Sequence, residues 1–429
     1  MDIAILLGSL FVLFALGLPI AYSLGLAAIA GALWIGVPLE AVMLKISDGV
    51  SKVAMLTIPF FVLAGAIMSE GGMAKRLVAF ANVLVGVVRV RGGLSAVNIV
   101  ATTFLSGISG SSVADTSAIG SVMIPQMEKV GFPRVFATNV TISASVQAIL
   151  VPPSHNAVIY SLATGGVISI TSLFMAGIVP GLLLGLALIL LCLYIAYRDR
   201  HPTGRSVPLR AAVRITIDAL WGLITIVIII GGILLGVFTA IEAGAVACLW
   251  AFFVTMFIYR DLPWKALPGL VHRTLKTVAM VMTLIACASA FGYVMALMQI
   301  PAKVTAFFLT LSHNKEVILM LLNVLMLILG CLMDMAPLIL ICTPIMLPVV
   351  TTLGVDPVHF GMIMLLNLGI GLLTPPVGAT LFVGCAVGKV TMEEVMRGIW
   401  PFYGVMFVVL MLVTYVPSIS LWLPRLLGM

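Results

Sequence analysis

The stretch SGISGSSVADTSAIG (106–120) sets Ser106, Ser109, Ser111 and Ser112 around Gly107 and Gly110, a few residues ahead of Asp115. Oxygens at this density suit two tasks. They can coordinate a hard cation, or they can hydrogen-bond a polar substrate. The glycines permit a tight, non-helical tip. Asp115 is an ionisable group in an apolar chain, which is by default a functional candidate. It fits equally as the cap of a helix leaving the tip. VPPS (151–154) and TPPV (374–377) each place a Pro–Pro pair inside an apolar run. Proline removes a backbone hydrogen bond and breaks a helix. The freed carbonyls can hold a cation, and the N–H groups opening the next half-helix can hold a carboxylate. His155 and Asn156 follow the first pair directly. A lone histidine in such a run is either a hydrogen-bonded structural residue or a substrate contact, and both readings stand.

The elements that position these groups must lie in a membrane. The 429 residues are 62% hydrophobic and 9% charged, with a mean hydropathy of +1.27. Runs such as 182–197 and 220–238 approach the roughly 20 apolar residues that cross a bilayer. The chain therefore reads as an all-α polytopic membrane protein, since a barrel would show short alternating segments. The net charge of +7 does not indicate nucleic acid, because the basic residues sit in short loops between spans. The six cysteines lie singly in apolar stretches and read as inert thiols. The N-terminus lacks a basic leader and reads as a first span.

Spans are predicted at about 3–18, 20–38, 53–70, 135–164 and 173–197, then at 217–238, 240–259, 277–299, 358–388 and 399–418. Residues 93–130 and 316–350 are apolar but broken near their middles, and read as re-entrant hairpins. Segments 73–90 and 301–315 are either interfacial helices or the first turns of the hairpin arms. A loop with Arg198, Arg200, Arg205, Arg210 and Arg214 should be cytoplasmic. Five crossings then start the first half outside and the second half inside. That orientation puts Lys75, Arg76, Arg89, Arg91, Lys129, Arg134, Arg260, Lys265, Arg273 and Lys276 in the cytoplasm as well.

Five spans plus a hairpin, twice and in opposite orientation, predict an inverted repeat: 1–200, a linker at 201–214, and 215–429. An offset of 223 residues carries Met123, Pro125, Gly131, Pro152, Pro153 and Gly165 onto Met346, Pro348, Gly354, Pro375, Pro376 and Gly388. Hairpins facing broken helices in inverted repeats are a secondary-transporter layout.

SGISGSSVADTSAIGSVMIP, VPPS, LFMAGIVPG (173–181), FTAIEAGAVA (238–247), MDMAPLILICTPIMLP (333–348) and GLLTPPVG (371–378) occur in this order along essentially the whole chain. Together they resemble the large membrane subunit of tripartite ATP-independent periplasmic (TRAP) transporters, the DctM-like family. The resemblance implies an elevator-type architecture with scaffold and transport domains, in the bacterial inner membrane. It implies sodium-coupled uptake of an organic acid delivered by a periplasmic substrate-binding protein, with a separate small four-helix membrane subunit. Sodium is then the coupling ion, and no organic cofactor is expected. PPSHN (152–156) resembles the sialic-acid members; a C4-dicarboxylate or a sugar acid is the other expectation.

On this reading the substrate site draws on Ser111, Ser112, Asp115, Ser154, His155 and Asn156. One sodium site joins Ser106 and Ser109 to Ala148, Val151 and Pro153. Symmetry gives a second from Gly330, Met333, Gly371, Thr374 and Pro376, with Asp334 loosely matching Asp115. Glu242 reads as a scaffold residue near the outer surface. Neither HExxH nor a P-loop is present, so neither a membrane-embedded zinc enzyme nor an ATP-driven pump within this chain is indicated. The alternative is a stand-alone sodium/dicarboxylate symporter.

Overall fold

The computed structural model describes residues 2–86, 90–203 and 208–429, so Arg89 and Arg205 lie outside it. Among the described residues it is all helical, with one isolated bridge between Arg91 and Thr203. The first half holds α1 (Asp2–Ala15), α2 (Ile20–Ile35), α3 (Leu39–Ser51), α4 (Thr57–Glu70), α5 (Met73–Gly86), α6 (Gly93–Ser109) and α7 (Ser112–Val130). It continues through α8 (Arg134–Ser145), α9 (Gln147–Leu150), α10 (His155–Ala163) and α11 (Ile170–Arg198). The second half holds α12 (Leu209–Ile226), α13 (Gly232–Leu234), α14 (Ala240–Phe253), α15 (Leu267–Leu297), α16 (Ile300–Leu311), α17 (Lys315–Leu332) and α18 (Met335–Thr352). α19 (Pro357–Gly371), α20 (Ala379–Gly388), α21 (Met392–Tyr415) and α22 (Ser418–Leu426) complete it.

Eight helices are long and apolar enough to cross a membrane, and the pair Arg134–Leu150 and His155–Ala163, bent by 45° at the Pro–Pro step, makes a ninth. The repeat is visible in the elements. The returning arms of the hairpins start at Ser112 and Met335, and the halves of the broken helices at Arg134 and Pro357, each pair 223 residues apart. The repeats are also inverted in space. Arg134 Nε, opening α8, donates to the Gly388 carbonyl closing α20 at 2.6 Å. The Tyr160 hydroxyl, near the end of α10, donates to the Pro357 carbonyl opening α19 at 2.7 Å. Each broken helix thus runs antiparallel to the other.

Ion pairs tie helix ends that share one side. Arg273 pairs with Glu70, and Arg76 with Asp218 and Asp261, at the end rich in basic residues. Lys303 pairs with Asp2 at the opposite end. Past α11, His201 sits between the rings of Phe132 and Phe136, at 5.0 and 4.8 Å. The Gly92 N–H donates to the Pro202 carbonyl beside it. Burial holds this imidazole below its ordinary pKa, against the pull of Asp199. The neutral ring anchors the start of the linker to the base of the first hairpin.

Segments that the span pattern left open take definite form. The segment ahead of α4 is a separate amphipathic helix, α3, because Pro38 starts it and its apolar residues fall on one face. α5 and α16 are helices distinct from the hairpin arms: α5 packs on α6 and α12, and α16 on α18 and α15. Glu242 serves its own helix, closing a capping box with Thr239 at the start of α14.

Each hairpin tip meets its break backbone to backbone. A Cβ on Gly371 would lie 2.7 Å from Gly330 Cα, and the Val377 N–H donates to the Cys331 carbonyl at 3.1 Å. Gly371→Ala should therefore cost about 1–3 kcal/mol, against a small gain for Gly404→Ala, whose added methyl meets open space. Thermal unfolding of the purified variants in detergent checks the difference; equal midpoints would show that the contact is not tight.

Candidate functional site

The two tips and the first break converge on one cavity of about 340 Å³. Ser111 and Ser112 come from the first tip, Ile149, His155 and Asn156 from the first broken helix, and Asp334 to Pro337 from the second tip. The remaining wall is Val113 on α7, Leu372 at the second break, Pro19 to Ala21 at the start of α2, and Thr277, Met280, Val281 and Leu284 on α15. Three helices begin here: α7 behind Ser111, α10 behind Ser154 and α18 behind Asp334. Their first N–H groups and dipoles make the centre of the molecule favourable for an anion.

The caps decide which side chains remain available. Ser111 and Ser154 accept from the Ala114 and Ala157 N–H groups, each at 3.4 Å. Asp334 occupies the same cap position without a side-chain cap bond, and it is exposed to the cavity. Its match by the repeat is Ser111, not Asp115 as expected: the residue 223 positions beyond Asp115 is Leu338. Within the cavity Asp334 supplies the carboxyl group and His155 the imidazole.

Asp115 has a different place from the one expected. It is fully buried, and its carboxyl oxygens accept from the Ser106 hydroxyl at 2.6 Å and from the Ser109 hydroxyl. It does not line the cavity. It buckles the returning arm α7 to the outgoing arm α6, and Ser111 performs the capping. Ser154 is likewise buried as a cap and absent from the cavity wall.

The first tip also lies on the first break. A Cβ on Gly110 would collide with the Pro153 carbonyl oxygen and sit 3.3 Å from His155 N. α9, which carries Ala148, packs on α6, where Thr103 donates to the Gln147 side chain at 2.7 Å. Val151 packs against Gly181 on α11. The structure thus brings Ser106, Ser109, Ala148 and Pro153 into one neighbourhood, with both serine hydroxyls donated to Asp115. At the second break Gly330 and Gly371 touch, Thr374 donates to the Ile370 carbonyl, and Tyr403 donates to the Leu373 carbonyl. Met333 is buried at the end of α17, beside this contact. Both Pro–Pro bonds, 152–153 and 375–376, are cis.

Several residues of the site carried no sequence signal. Ser145 and Thr380 share hydrogen bonds with the Ser112 hydroxyl at 2.9 and 3.0 Å, joining both broken helices to the first tip. Thr277 belongs to a helix remote in sequence from either motif. Asp334 was detectable, because the offset lays it on the Ser111 cap.

A family model described as the tripartite ATP-independent periplasmic transporter, DctM component, matches residues 7–419. The chain belongs to that family. A C4-dicarboxylate TRAP transporter large permease protein of Rhodobacter capsulatus is 37% identical over 442 residues, covering 100% of both chains. A sialic acid TRAP transporter large permease protein of Vibrio cholerae is 36% identical, covering 98% of this chain and 99% of that one. The crystal structure of the Alcanivorax borkumensis YdaH transporter superposes with a TM-score of 0.65 at 14% identity, covering 90% of this chain and 89% of the other, which shows a shared fold. The chain is therefore a TRAP large permease subunit for organic acids, a multi-span protein of the bacterial inner membrane.

The Asp115 buckle is testable apart from substrate. Asp115→Asn keeps the shape but removes the charge and one acceptor. It should lower uptake about tenfold while leaving membrane insertion intact. A double-mutant cycle of Asp115→Asn with Ser106→Ala, read by thermal unfolding, should show a coupling of about 1 kcal/mol or more. Additive effects would mean that the two side chains act separately.

Proposed function

We propose that this permease imports an organic acid together with sodium, by an elevator-type movement of the hairpin-bearing body against α2, α4, α14 and α15. The acid would arrive from a periplasmic substrate-binding protein, and a separate small four-helix membrane subunit would complete the complex. The carrying observation is the cavity where both tips and the first break meet beside three helix N-termini. A transported carboxylate suits those N–H groups, and Ser111, Ser112, His155 and Asn156 line the same space.

The side chains favour one substrate type. Asp334 faces the cavity and would repel a second carboxylate while accepting hydrogen bonds from hydroxyls. A polyhydroxylated acid such as a sialic or sugar acid fits better than a C4-dicarboxylate, although relatives of similar identity are named for each class. Asp334→Asn should then raise KM for the hydroxylated acid by about tenfold and narrow its advantage over succinate. A variant with unchanged preference would remove Asp334 from recognition.

Sodium would bind where each tip lies on its break. Ser106, Ser109, Ala148, Val151 and Pro153 form one candidate shell, and Gly330, Met333, Gly371, Thr374 and Pro376 the other. The support is the juxtaposition of tip and break in both repeats. These oxygens are hydroxyls and carbonyls, which suit a hard monovalent cation without adding charge. In proteoliposomes holding the complete complex and binding protein, uptake should vanish when potassium replaces sodium. Undiminished uptake in potassium overturns the coupling, and full activity from this chain alone would identify a stand-alone symporter.

A further inference from the structure

A second cavity lies above the first along the same seam. About 260 Å³ is enclosed by Lys52 after α3, Ser289 and Gly292 on α15, Gly165 after α10, and Leu340 and Pro344 on α18. The two cavities stack on shared helices. On α15 the inner one is lined by Thr277 to Leu284 and the outer one by Ile285 to Gly292. On α18 the inner one takes Met335 to Pro337 and the outer one takes Leu340 and Pro344. On α15 the two linings are contiguous, Leu284 ending one and Ile285 beginning the other, and on α18 about one helical turn separates Pro337 from Leu340. The outer cavity lies toward the C-terminal end of α15, the side where Lys303 of α16 pairs with Asp2 of α1, opposite the arginine-rich end.

Basic residues are scarce at that end. Among the described lysines and arginines, only Lys45, Lys52, Lys303, Lys315 and Arg425 fall there. The topology rule that explains the other end does not account for them. Lys45 pairs with Asp48 and lies over the Tyr293 ring, and Lys303 pairs with Asp2. Lys52 makes no ion pair among the described residues, and it is the charged residue in the cavity wall. The space beside it is open: a Cβ on Gly165 or Gly292 would meet nothing within 4 Å.

We propose that this cavity is a carboxylate-collecting vestibule, in which Lys52 draws an anionic substrate into the seam above the substrate cavity. The identity of the anion rests on the organic-acid reading given above. A lone cation in a concave, low-dielectric cleft raises the local concentration of anions. Lysine suits a transfer point. Its ammonium is a hydrated point charge on a flexible stem, so it attracts a carboxylate without the two-pronged grip of arginine. The wall comes partly from α3 and α15 and partly from α10 and α18, so relative movement of these groups would carry the inner cavity past Lys52.

The test uses the complete complex in two arms. Gly292→Cys places a thiol in open space on the cavity wall, with the parent protein as background for the native cysteines. Added from the periplasmic side, and with each rate divided by that reagent's rate with a free thiol, an impermeant anionic methanethiosulfonate should label it about threefold or more faster than a cationic one. Lys52→Gln should abolish that preference, Lys52→Arg should keep it, and added salt should shrink it. In the transport arm, Lys52→Gln should raise KM for the acid about threefold or more and flatten its salt dependence, with the maximal rate little changed. Equal normalised rates for the two reagents overturn the vestibule, as does an unchanged KM in Lys52→Gln. The labelling arm does not depend on the acid. If the wild-type complex imports no organic acid while labelling still favours the anion, the functional reading fails and the anion site stands.

Discussion

Backbone amides in a bilayer have no water to turn to, so any opening in a helix must be answered by protein. The Pro–Pro steps make two such openings. At the second, the Cys331 carbonyl takes the Val377 N–H and the Tyr403 hydroxyl covers the Leu373 carbonyl. At the first, Gly110 lies on the Pro153 carbonyl and Gly177 of α11 on the Leu150 carbonyl. A hairpin reaching only to the centre of the molecule, with glycine where backbone meets backbone, satisfies this requirement. The tips are where they are because the breaks need them, and the cavity forms where both tips arrive.

The two repeats share a backbone plan and differ in chemistry. The first hairpin is held by a polar buckle, Asp115 with Ser106 and Ser109, where the second has Leu338, Leu329 and Leu332. The second repeat places its polar contacts elsewhere: Asn323 of α17 bonds to Thr414 of α21, and Asn367 of α19 bonds to Asn323. Ser111 faces Asp334 across the pseudo-symmetry, and His155 faces Gly378. Symmetry supplies the paired frames in which each tip lies on its break, and the departures from symmetry make the two tips that line the inner cavity unlike, with Ser111 on one and Asp334 on the other.

The seam between α2, α3, α15 and the hairpin-bearing helices is the other consequence. Hydroxyl, amide, carboxyl and imidazole groups line its inner cavity, and a single ammonium lines the outer one. α5 and α16 lie between the two groups of helices, each packed on an arm of a hairpin.

The sequence by itself determined the all-helical membrane class, the Pro–Pro breaks and the 223-residue repeat. Each of these rests on local signals. An apolar run long enough to cross a bilayer, a Pro–Pro pair within it and an offset of 223 residues are all readable in one dimension. It also singled out Ser111, Ser112, His155 and Asn156, which the structure gathers in the cavity wall. Tertiary structure alone decided which carboxyl faces that cavity. Asp115 and Asp334 both follow a hairpin tip, and only the distances to Ser106 and Ser109 show that the first is consumed within its own hairpin while the second stays open. Thr277, Thr380 and Lys52 reached their sites through contacts between helices remote in sequence. Burial and the choice among competing hydrogen-bond partners are properties of the packed chain, and residue type and spacing carry no record of them.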